Sequence, residues 1–423
     1  MLSLRKIILL LFILIHLSCK KEKDAIPASI PFPAHIPYSA GVILPSDISS
    51  SELDRRTGNF YTLWKSRYLK PGCQAGEYYI YSNVEQSGVT GSLGETISIS
   101  EGHGYGMLII SLMAGYDPKA KIFFDGLYKF YRHHPSKNNN RLMAWNQVKG
   151  CVDNPDAGND SATDGDLDIA YALLLADKQW GSNGEINYLH EALEMINAIM
   201  EQEMNQSSFS VKLGDWADLS SGVSYDTRTS DFMTGHFKTF YNVTADPRWN
   251  LVINQCYNTT NTTFVNYSPQ TGLLPDFLQY SGGQYIPARP NYLESEFDGD
   301  FSYNACRTPW RLSMDFIVNG DGRALAQINT INSWIRNSAS ENPENIMAGY
   351  DLSGNKLPPG NDHSLAFTAP LAVAAMTGTS NQQWLNDVTG KLLNTSLDDD
   401  EYYGNSIKML CLIVVSGNWW APY

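Results

Sequence analysis

Basic residues are scarce in this chain of 423 residues, which contains 30 Lys and Arg against 44 Asp and Glu, a formal net charge of −14. A surface of that sign repels a phosphate backbone and attracts cations, so nucleic acid is excluded as a partner. Charged residues of both signs make up only 17% of the chain, whereas 24 Tyr, 16 Phe and 10 Trp supply abundant aromatic surface. This composition predicts a globular protein with aromatic side chains available to line a binding cleft.

Cysteine is also rare, and none of the six cysteines stands in a CxxC spacing. Cys19 directly follows a predicted N-terminal export signal, which leaves five others. They are Cys73, Cys151, Cys256, Cys306 and Cys411. An odd number without paired spacing argues against a disulfide framework and against a zinc knuckle. A pairing such as Cys73 with Cys151 stays open.

No apolar run in the chain is long enough for a comfortable membrane span. The longest, "IILLLFILIHL", follows Arg5 and Lys6, and residues 1–18 are therefore predicted to be an export signal. The next residue resembles the cysteine of a bacterial lipobox, so Cys19 is predicted to be lipidated and to become the mature N-terminus. Plain secretion and an uncleaved anchor are the alternatives. Residues 19–39 are predicted to be a polar, Pro-rich tether, and a lipid is the sole expected membrane contact.

Helical apolar periodicity recurs beyond residue 50, interrupted by breaks rich in Gly, Pro, Asn and Asp. It predicts twelve helices near 51–69, 102–115, 118–134, 165–179, 187–204, 229–243, 246–264, 304–319, 322–338, 363–377, 380–397 and 402–416. Twelve helices joined by short turns, two of which contain Asp-Pro, suggest six antiparallel helical hairpins. No shift in composition divides them, so residues 40–423 are predicted to form one all-α domain.

A few segments do not fit the helical pattern. "GEYYIYSN" and "FSVKLGDW" are predicted to be short strands. Residues 265–303 are predicted to be irregular or to form a short hairpin. A loop of that length in a compact domain is usually functional or disordered, and its aromatic and Gly content favours an ordered, functional loop.

The segment "SISEGHGYGMLI" places Glu101 just before a predicted helix, followed by three closely spaced glycines. A carboxylate at this position could simply cap the helix. The glycines, however, leave room for a ligand to approach the backbone, with His103 and Tyr105 beside it. A Glu held among aromatic residues can have a raised pKa, as a general acid requires at neutral pH. No strand with the right spacing precedes the glycines, so they do not form a dinucleotide fingerprint.

A second acidic cluster, "DSATDGDLD", opens another apolar helix and includes Asp164. Part of it is ordinary N-capping. A calcium loop is a rival interpretation, but the closing Glu of the twelve-residue pattern is absent because hydrophobic residues begin at once. No metal site is therefore predicted.

Together, "SEGHGYGM" and "ATDGDLDIAYALLLADKQWG" resemble glycoside hydrolase family 8, and the similarity runs from about residue 37 to the C-terminal "SGNWW". The resemblance implies an inverting enzyme with an (α/α)6 barrel that cleaves β-1,4-linked polysaccharides and needs no cofactor. It implies that Glu101 is the proton donor and that Asp164 holds the distorted sugar at the cleaved bond. It also implies a set of residues that stack on or hydrogen-bond the glycan, namely Trp145, Trp216, Tyr303 and Arg307.

The general base is the point at which this sequence departs from many members of the family. They carry "YDA" where this chain reads "YNA", with Asn304, and an amide cannot accept a proton from water. A subgroup represented by chitosanases also has Asn there and takes its base from a Glu in the preceding loop. "YLESEFDGDFSYNACRTPWR" resembles that arrangement, which implies that Glu294 is the base, with Glu296 as the substitute. Tyr105 and Asn304 complete the predicted substrate contacts.

Chitosan is the first predicted substrate, because the acidic residues around the base could pair with its ammonium groups. If residues 1–18 are removed with their two basic residues, the formal charge becomes −16, which would favour such a polycation. A β-1,4-glucan or mixed-linkage glucan is the alternative substrate. A non-catalytic, glycan-binding surface lipoprotein is the alternative from another class. The protein is expected to act as a monomer.

Overall fold

The computed structural model describes residues 26–82, 96–155, 158–358, 360 and 362–423. These residues form twelve α-helices. They are α1 (Ser50–Tyr68), α2 (Ser100–Leu112), α3 (Ala120–His133), α4 (Thr163–Trp180), α5 (Tyr188–Gln202), α6 (Thr234–Thr244), α7 (Arg248–Tyr267), α8 (Thr308–Asn319), α9 (Leu325–Ser338), α10 (Leu365–Ala375), α11 (Gln382–Asn394) and α12 (Tyr402–Val415). All twelve predicted helices are confirmed, and their ends differ from the predicted ends by at most five residues.

The even-numbered helices form a closed inner ring in which each contacts the next and α12 returns to α2. Each odd-numbered helix packs outside this ring, against the inner helix that precedes it, and α1 packs against α12. The six hairpins are therefore closed into a circle by the first and last helices. This arrangement confirms the predicted (α/α)6 barrel.

The burial of each helix explains why it takes an inner or an outer position. All eleven residues of α10 are buried, and so are 13 of the 14 residues of α12. The outer helix α3 buries only one side, through residues such as Phe124, Leu127 and Phe130. A helix that is apolar all round is stable only when it is enclosed, whereas an amphipathic helix can cover it and face water.

Eight short strands lie in the connections between helices. They are β1 (Leu69–Pro71), β2 (Tyr78–Ile80), β3 (Thr96–Ile99), β4 (Asn146–Val148), β5 (Val152–Asp153), β6 (Thr227–Arg228), β7 (Phe277–Ser281) and β8 (Gln284–Pro287). The prediction of a strand in "GEYYIYSN" is confirmed by β2. The predicted hairpin in the long loop is confirmed by β7 and β8, which pair antiparallel with Ser281 opposite Gln284.

The strand predicted for "FSVKLGDW" is wrong. Val211 makes a single bridge to Met204, and the other backbone hydrogen bonds of the segment do not extend it into a ladder. The N–H of Lys212 donates to the carbonyl of Glu203, and the carbonyl of Leu213 accepts from the N–H of Thr163. The segment thus links the end of α5 to the start of α4 instead of joining a sheet.

A disulfide joins Cys73 and Cys151, with Cα atoms 6.0 Å apart. It confirms the pairing that the sequence left open and ties the β1–β2 turn to the β4–β5 turn. Cys256, Cys306 and Cys411 are buried free thiols.

The predicted signal at 1–18 and the lipidation site Cys19 lie outside the described residues. The described end of the predicted tether runs along the domain, because the N–H of Ser29 donates to Gln179 and the N–H of Phe32 donates to Ala114. In the part of the chain that is described, no helix has the length and apolar character needed to cross a bilayer.

Candidate active site

A cleft of about 400 Å³ opens at the end of the barrel where the inner helices begin. It is lined by Ile99, Ser100, Glu101, Trp145, Asp160, Ser161, Ala162, Asp164, Leu213, Trp216, Arg228, Leu293, Glu294 and Asn304. The first turns of α2 and α4 and the approach to α8 all contribute to it. The barrel therefore gathers both predicted acidic motifs and the loop before α8 into one cavity.

Glu101 is the second residue of α2, directly after strand β3. The N–H of Ser100 donates to the carbonyl of Trp145 at 2.9 Å, which fixes the start of the helix beside the aromatic wall of the cleft. Burial raises the pKa of Glu101 to about 8, even though the Arg307 guanidinium lies 2.7 Å from its carboxylate and favours the charged form. At neutral pH Glu101 therefore holds a proton that it can donate.

Asp164 lies in the first turn of α4, and its pKa is shifted in the opposite direction from that of Glu101. Burial disfavours its charged form, but Arg228 at 3.2 Å and Arg307 at 2.8 Å together hold the pKa of its carboxyl below the usual range. The N–H of Gly165 also donates to it at 2.9 Å. One cleft thus contains a protonated carboxyl group and a fixed carboxylate.

Arg307 is the central cation of the site and is fully buried. Besides the two carboxylates, it donates to the hydroxyl of Tyr105 at 3.1 Å, to Ser230 Oγ at 2.8 Å and to Asn304 Oδ1 at 3.1 Å. Its position is maintained by the short turn between Asn304 and the start of α8. Arg307 therefore organises the floor of the cleft from beneath.

Asn304 connects this floor to the loop that carries Glu294. Its Oδ1 faces the Arg307 donor, so its amide NH₂ points to Glu294 and donates to Oε2 at 2.7 Å. Arg228 donates to the other oxygen of Glu294 at 3.4 Å. The side chain of Glu294 remains 41% exposed, so water can reach it.

The acidic run around Glu294 is partly structural. Asp298 is fully buried and accepts the backbone N–H groups of Leu293, Glu294 and Ser295 at 2.6, 3.0 and 2.9 Å. A carboxylate that takes three backbone donors fixes a loop and has little capacity left for a ligand. Asp298 therefore shapes the segment that holds Glu294 over the cleft.

Three predicted glycan contacts lie elsewhere than expected. Tyr105 is fully buried below Arg307, and Arg307 itself has no exposed surface, so both lie beneath the cleft and not on its wall. Tyr303 is 49% exposed, but it lies outside the cavity lining and packs edge-on against Phe367.

His103, predicted to flank Glu101, is buried with its ring 2.8 Å from the Leu127 carbonyl. Trp145 and Trp216 line the cleft, and their stacking on the glycan stays a prediction.

Two residues of the site were missed by sequence reasoning. Arg228 bridges Asp164 and Glu294, and its position in "DTRTSDFM" is not distinguished from that of a surface arginine. Asp276 accepts the N–H groups of Ser302, Asn304 and Ala305 and so orders the turn beneath the cleft. Burial raises the pKa of Asp276 to about 8. Its signal in the sequence is the Pro-Asp pair within the long loop.

The family model described as glycosyl hydrolases family 8 matches residues 54–417 of the chain. The chain belongs to glycoside hydrolase family 8. It is therefore an enzyme that hydrolyses glycosidic bonds.

Relatives of this family 8 enzyme include a protein named beta-glucanase from Niallia circulans, 47% identical over 92% of this chain and 91% of that protein. An endoglucanase from Bacillus sp. strain KSM-330 is 38% identical over 93% of this chain and 82% of that protein. Among solved structures, the beta-1,3-1,4-glucanase from Paenibacillus sp. X4 is 48% identical, covers 93% of this chain and 99% of its own, and superposes with a TM-score of 0.86. Rex8A from Paenibacillus barcinonensis, at 20% identity and a TM-score of 0.70, shares the fold.

Proposed function

We propose that this enzyme hydrolyses a β-glucan with β-1,4 or mixed linkages and inverts the anomeric configuration. The observation that carries the proposal is the presence in one cleft of a carboxyl group with a raised pKa, Glu101, and an accessible carboxylate, Glu294. The two are joined through Arg307 and Asn304 but come from distant parts of the chain. The names of the relatives support a glucan as the substrate.

In the proposed reaction, Glu101 gives its proton to the glycosidic oxygen as the bond from that oxygen to the anomeric carbon breaks. Glu294 takes a proton from a water molecule, whose oxygen bonds to the anomeric carbon from the opposite face of the sugar. An inverting enzyme needs about 6.5–9.5 Å between the two carboxyl groups to hold that water. Asp164 remains ionised and holds the distorted sugar by hydrogen bonds, while Trp145 and Trp216 stack on neighbouring sugar rings.

Chitosan, the first prediction from the sequence, is less well supported than β-glucan. A glucosamine ammonium group would need a free carboxylate in the cleft, but Asp164 is already paired with Arg228 and Arg307. Asp298, one of the acidic residues expected to attract the polymer, is fully buried under its own loop. A neutral glucan requires no additional anion in the cleft, and it suits a site whose acidic groups are largely neutralised.

We further propose that the protein is exported, is anchored through Cys19 and acts as a monomer. The Cys73–Cys151 disulfide supports an oxidising compartment, since such bonds are rare in the bacterial cytoplasm. The proposed reaction uses Glu101, Glu294 and Asp164 of a single chain, so it requires no second copy to complete the site. Mass spectrometry of the membrane fraction would detect the acylated N-terminus, and recovery of unmodified protein from the medium would contradict the anchor.

The substrate proposal is tested by measuring reducing ends released from lichenan, carboxymethyl-cellulose, soluble chitosan and xylan under the same conditions. We expect lichenan to be hydrolysed at least about tenfold faster than chitosan, because the cleft offers few unpaired carboxylates to an amino sugar. Glu101→Gln serves as the blank for contaminating activity. Faster hydrolysis of chitosan would restore the first prediction from the sequence.

The activity on lichenan is expected to fall as the pH rises through about 8, the pKa to which burial raises Glu101. The general acid must carry its proton in the free enzyme, so kcat/KM should decrease about tenfold per pH unit above that value. A kcat/KM profile from about pH 5 to pH 10 measures this alkaline decrease, with the protein checked for folding by circular dichroism at each pH. A kcat/KM that stays constant from about pH 7 to about pH 10 would contradict the assignment of Glu101 as the acid.

Asn304→Asp is expected to lower kcat by about ten- to a hundredfold, although it creates the "YDA" sequence of many family members. The variant replaces a donor to Glu294 with a second carboxylate, and a hydrogen bond to a charged group contributes about 1.5–3 kcal/mol. Combining Asn304→Asp with Glu294→Gln removes that repulsion. Recovery of activity in the double variant would indicate that Asp can act as the base from position 304, whereas unchanged activity in the single variant would contradict the role of the amide.

A further inference from the structure

Two buried carboxyl groups that the proposed reaction does not use lie behind the tryptophan wall of the cleft. Asp166 is on α4, two residues after Asp164, and Glu203 directly follows α5. Both side chains belong to fully buried residues. Buried carboxyl groups are costly unless they are neutral or fully paired, so this pair requires a physical explanation.

Each carboxyl group has one oxygen with a donor and one without. Asp166 Oδ1 accepts the N–H of Met143 at 2.9 Å, and Glu203 Oε1 accepts the hydroxyl of Ser161 at 2.6 Å. The other oxygens, Asp166 Oδ2 and Glu203 Oε2, are buried without a donor from any described residue, and the two groups interact with each other. Carboxylates only accept hydrogen bonds, so these two oxygens can satisfy each other only when one of them carries a proton.

The same hydrogen bonds lead directly to the two tryptophans. Asp166 accepts the backbone N–H of Met143, which is two residues before Trp145. The backbone N–H of Trp145 in turn donates to the carbonyl of Asp160 at 2.8 Å. Ser161 donates to Glu203 and accepts the N–H of Asp215 at 3.0 Å, and Asp215 precedes Trp216. The pair thus links the loops that carry both aromatic walls.

We propose that Asp166 and Glu203 share a single proton and that, in this state, they act as positioning residues that hold Trp145 and Trp216 in place for the glycan. This inference deepens the proposed function and rests on it for the identity of the ligand. The carboxyl groups do not touch the substrate. They act through the loops between α3 and α4 and after α5.

Loss of the shared proton would place two anions side by side in the protein interior. Burial raises the pKa of Asp166 well above its usual value and that of Glu203 to about 8. The other charged groups that face the pair are Asp215, which adds repulsion, and Lys212, whose ammonium donates to the Gln202 carbonyl and offsets part of it. Repulsion between the ionised groups would separate the loops and displace the tryptophans.

The decisive experiment measures binding of a soluble mixed-linkage gluco-oligosaccharide to the non-hydrolysing Glu101→Gln enzyme by titration calorimetry at several pH values. We expect affinity to fall at alkaline pH as the shared proton is lost, by up to about tenfold per pH unit, the limit for linkage to one proton. Adding Glu203→Gln should remove this fall, because the amide donates to Asp166 and accepts from Ser161 at every pH. Asp166→Asn is the second variant, expected to behave in the same way.

Asp400→Asn is the matched control. Asp400 is also a carboxyl group with a pKa raised by burial, but its partners, the N–H groups of Leu365 and Glu401, lie at the starts of α10 and α12. The Asp400→Asn variant should therefore leave the alkaline loss of affinity unchanged. The proposal is overturned if affinity falls equally with and without Glu203→Gln and Asp166→Asn.

A ligand-free measurement separates this proposal from the proposed substrate. The pKa of Glu203 is raised from 4.5 to about 8 on folding, so the unfolded chain loses this proton first. The stability contributed by Glu203 therefore falls as pH rises from about 4.5 to about 8 and is level above that pH. The decrease in melting temperature over that range should be smaller in Glu203→Gln than in the wild type, and an equal decrease would overturn the shared proton. Absence of oligosaccharide binding at any pH would instead contradict the substrate.

Discussion

Replacing Glu294 with Gln is expected to lower kcat on lichenan by about 10²- to 10⁴-fold, the usual contribution of a general base. KM should stay within about threefold, because Glu294 acts on the attacking water and not on ground-state binding. Glu294 lines the cleft and accepts from Asn304, whereas Glu296 is exposed and outside the lining. Glu296→Gln is therefore the matched control, expected to retain activity within about twofold.

Azide provides the complementary measurement for the base. It is a nucleophile that needs no deprotonation, so added azide should restore bond cleavage in Glu294→Gln and yield a glycosyl azide of inverted configuration. Glu101→Gln lacks the proton donor and should gain nothing on an unactivated glucan. Full activity in Glu294→Gln, or a large loss in Glu296→Gln alone, would move the base to position 296.

Arg307→Met is expected to abolish measurable activity and to reduce the free energy of unfolding by about 3–5 kcal/mol, the range for breaking a buried ion pair from one side. Arg307 is the buried cation shared by Glu101 and Asp164 at 2.7 and 2.8 Å. Without it Asp164 keeps Arg228 as its one ion-pair partner, and the pKa of Glu101 rises further. Urea denaturation and kcat on lichenan measure the two effects.

The control for Arg307 is an arginine on the surface. Arg336 pairs with the exposed carboxylate of Glu341 at 3.0 Å, and Arg336→Met should change the free energy of unfolding by less than about 1 kcal/mol. Arg307→Lys keeps the charge but loses the planar set of donors to Tyr105, Ser230 and Asn304, so most of the activity should still be lost. An Arg307→Met enzyme as stable as Arg336→Met would refute the central role of this cation.

The sequence predicted the helices well because their signal is local. An inner helix such as α10 is apolar throughout, and an outer helix such as α3 shows one apolar face, so periodicity reveals both. It failed for "FSVKLGDW", whose alternating residues resemble a strand, because the backbone of Lys212 and Leu213 bonds to other loops. Whether such a segment forms a strand depends on its contacts with distant parts of the fold.

For the candidate site as well, some features were predictable from the sequence and others depended on the fold. Glu101, Asp164 and Glu294 stand in recognisable motifs, and the cleft does contain all three. Tyr105 and Arg307 were expected to face the glycan, but the barrel buries them, and Arg228 and Asp276 were missed. Residue type and spacing indicate which groups can do chemistry, whereas exposure depends on how neighbouring helices pack.

The amino-acid sequence by itself determined the helical class, the family and the acidic residues available for catalysis, because these depend on local periodicity and on motifs. The tertiary structure decided their chemistry. Glu101 and Asp164 are both carboxyl groups in first turns and expose only 14% and 4% of their side chains, yet the pKa of Glu101 is raised and that of Asp164 is lowered. The difference arises because Asp164 lies against two guanidinium groups and Glu101 against one, a distance effect that exists only once α2, α4 and α8 are assembled.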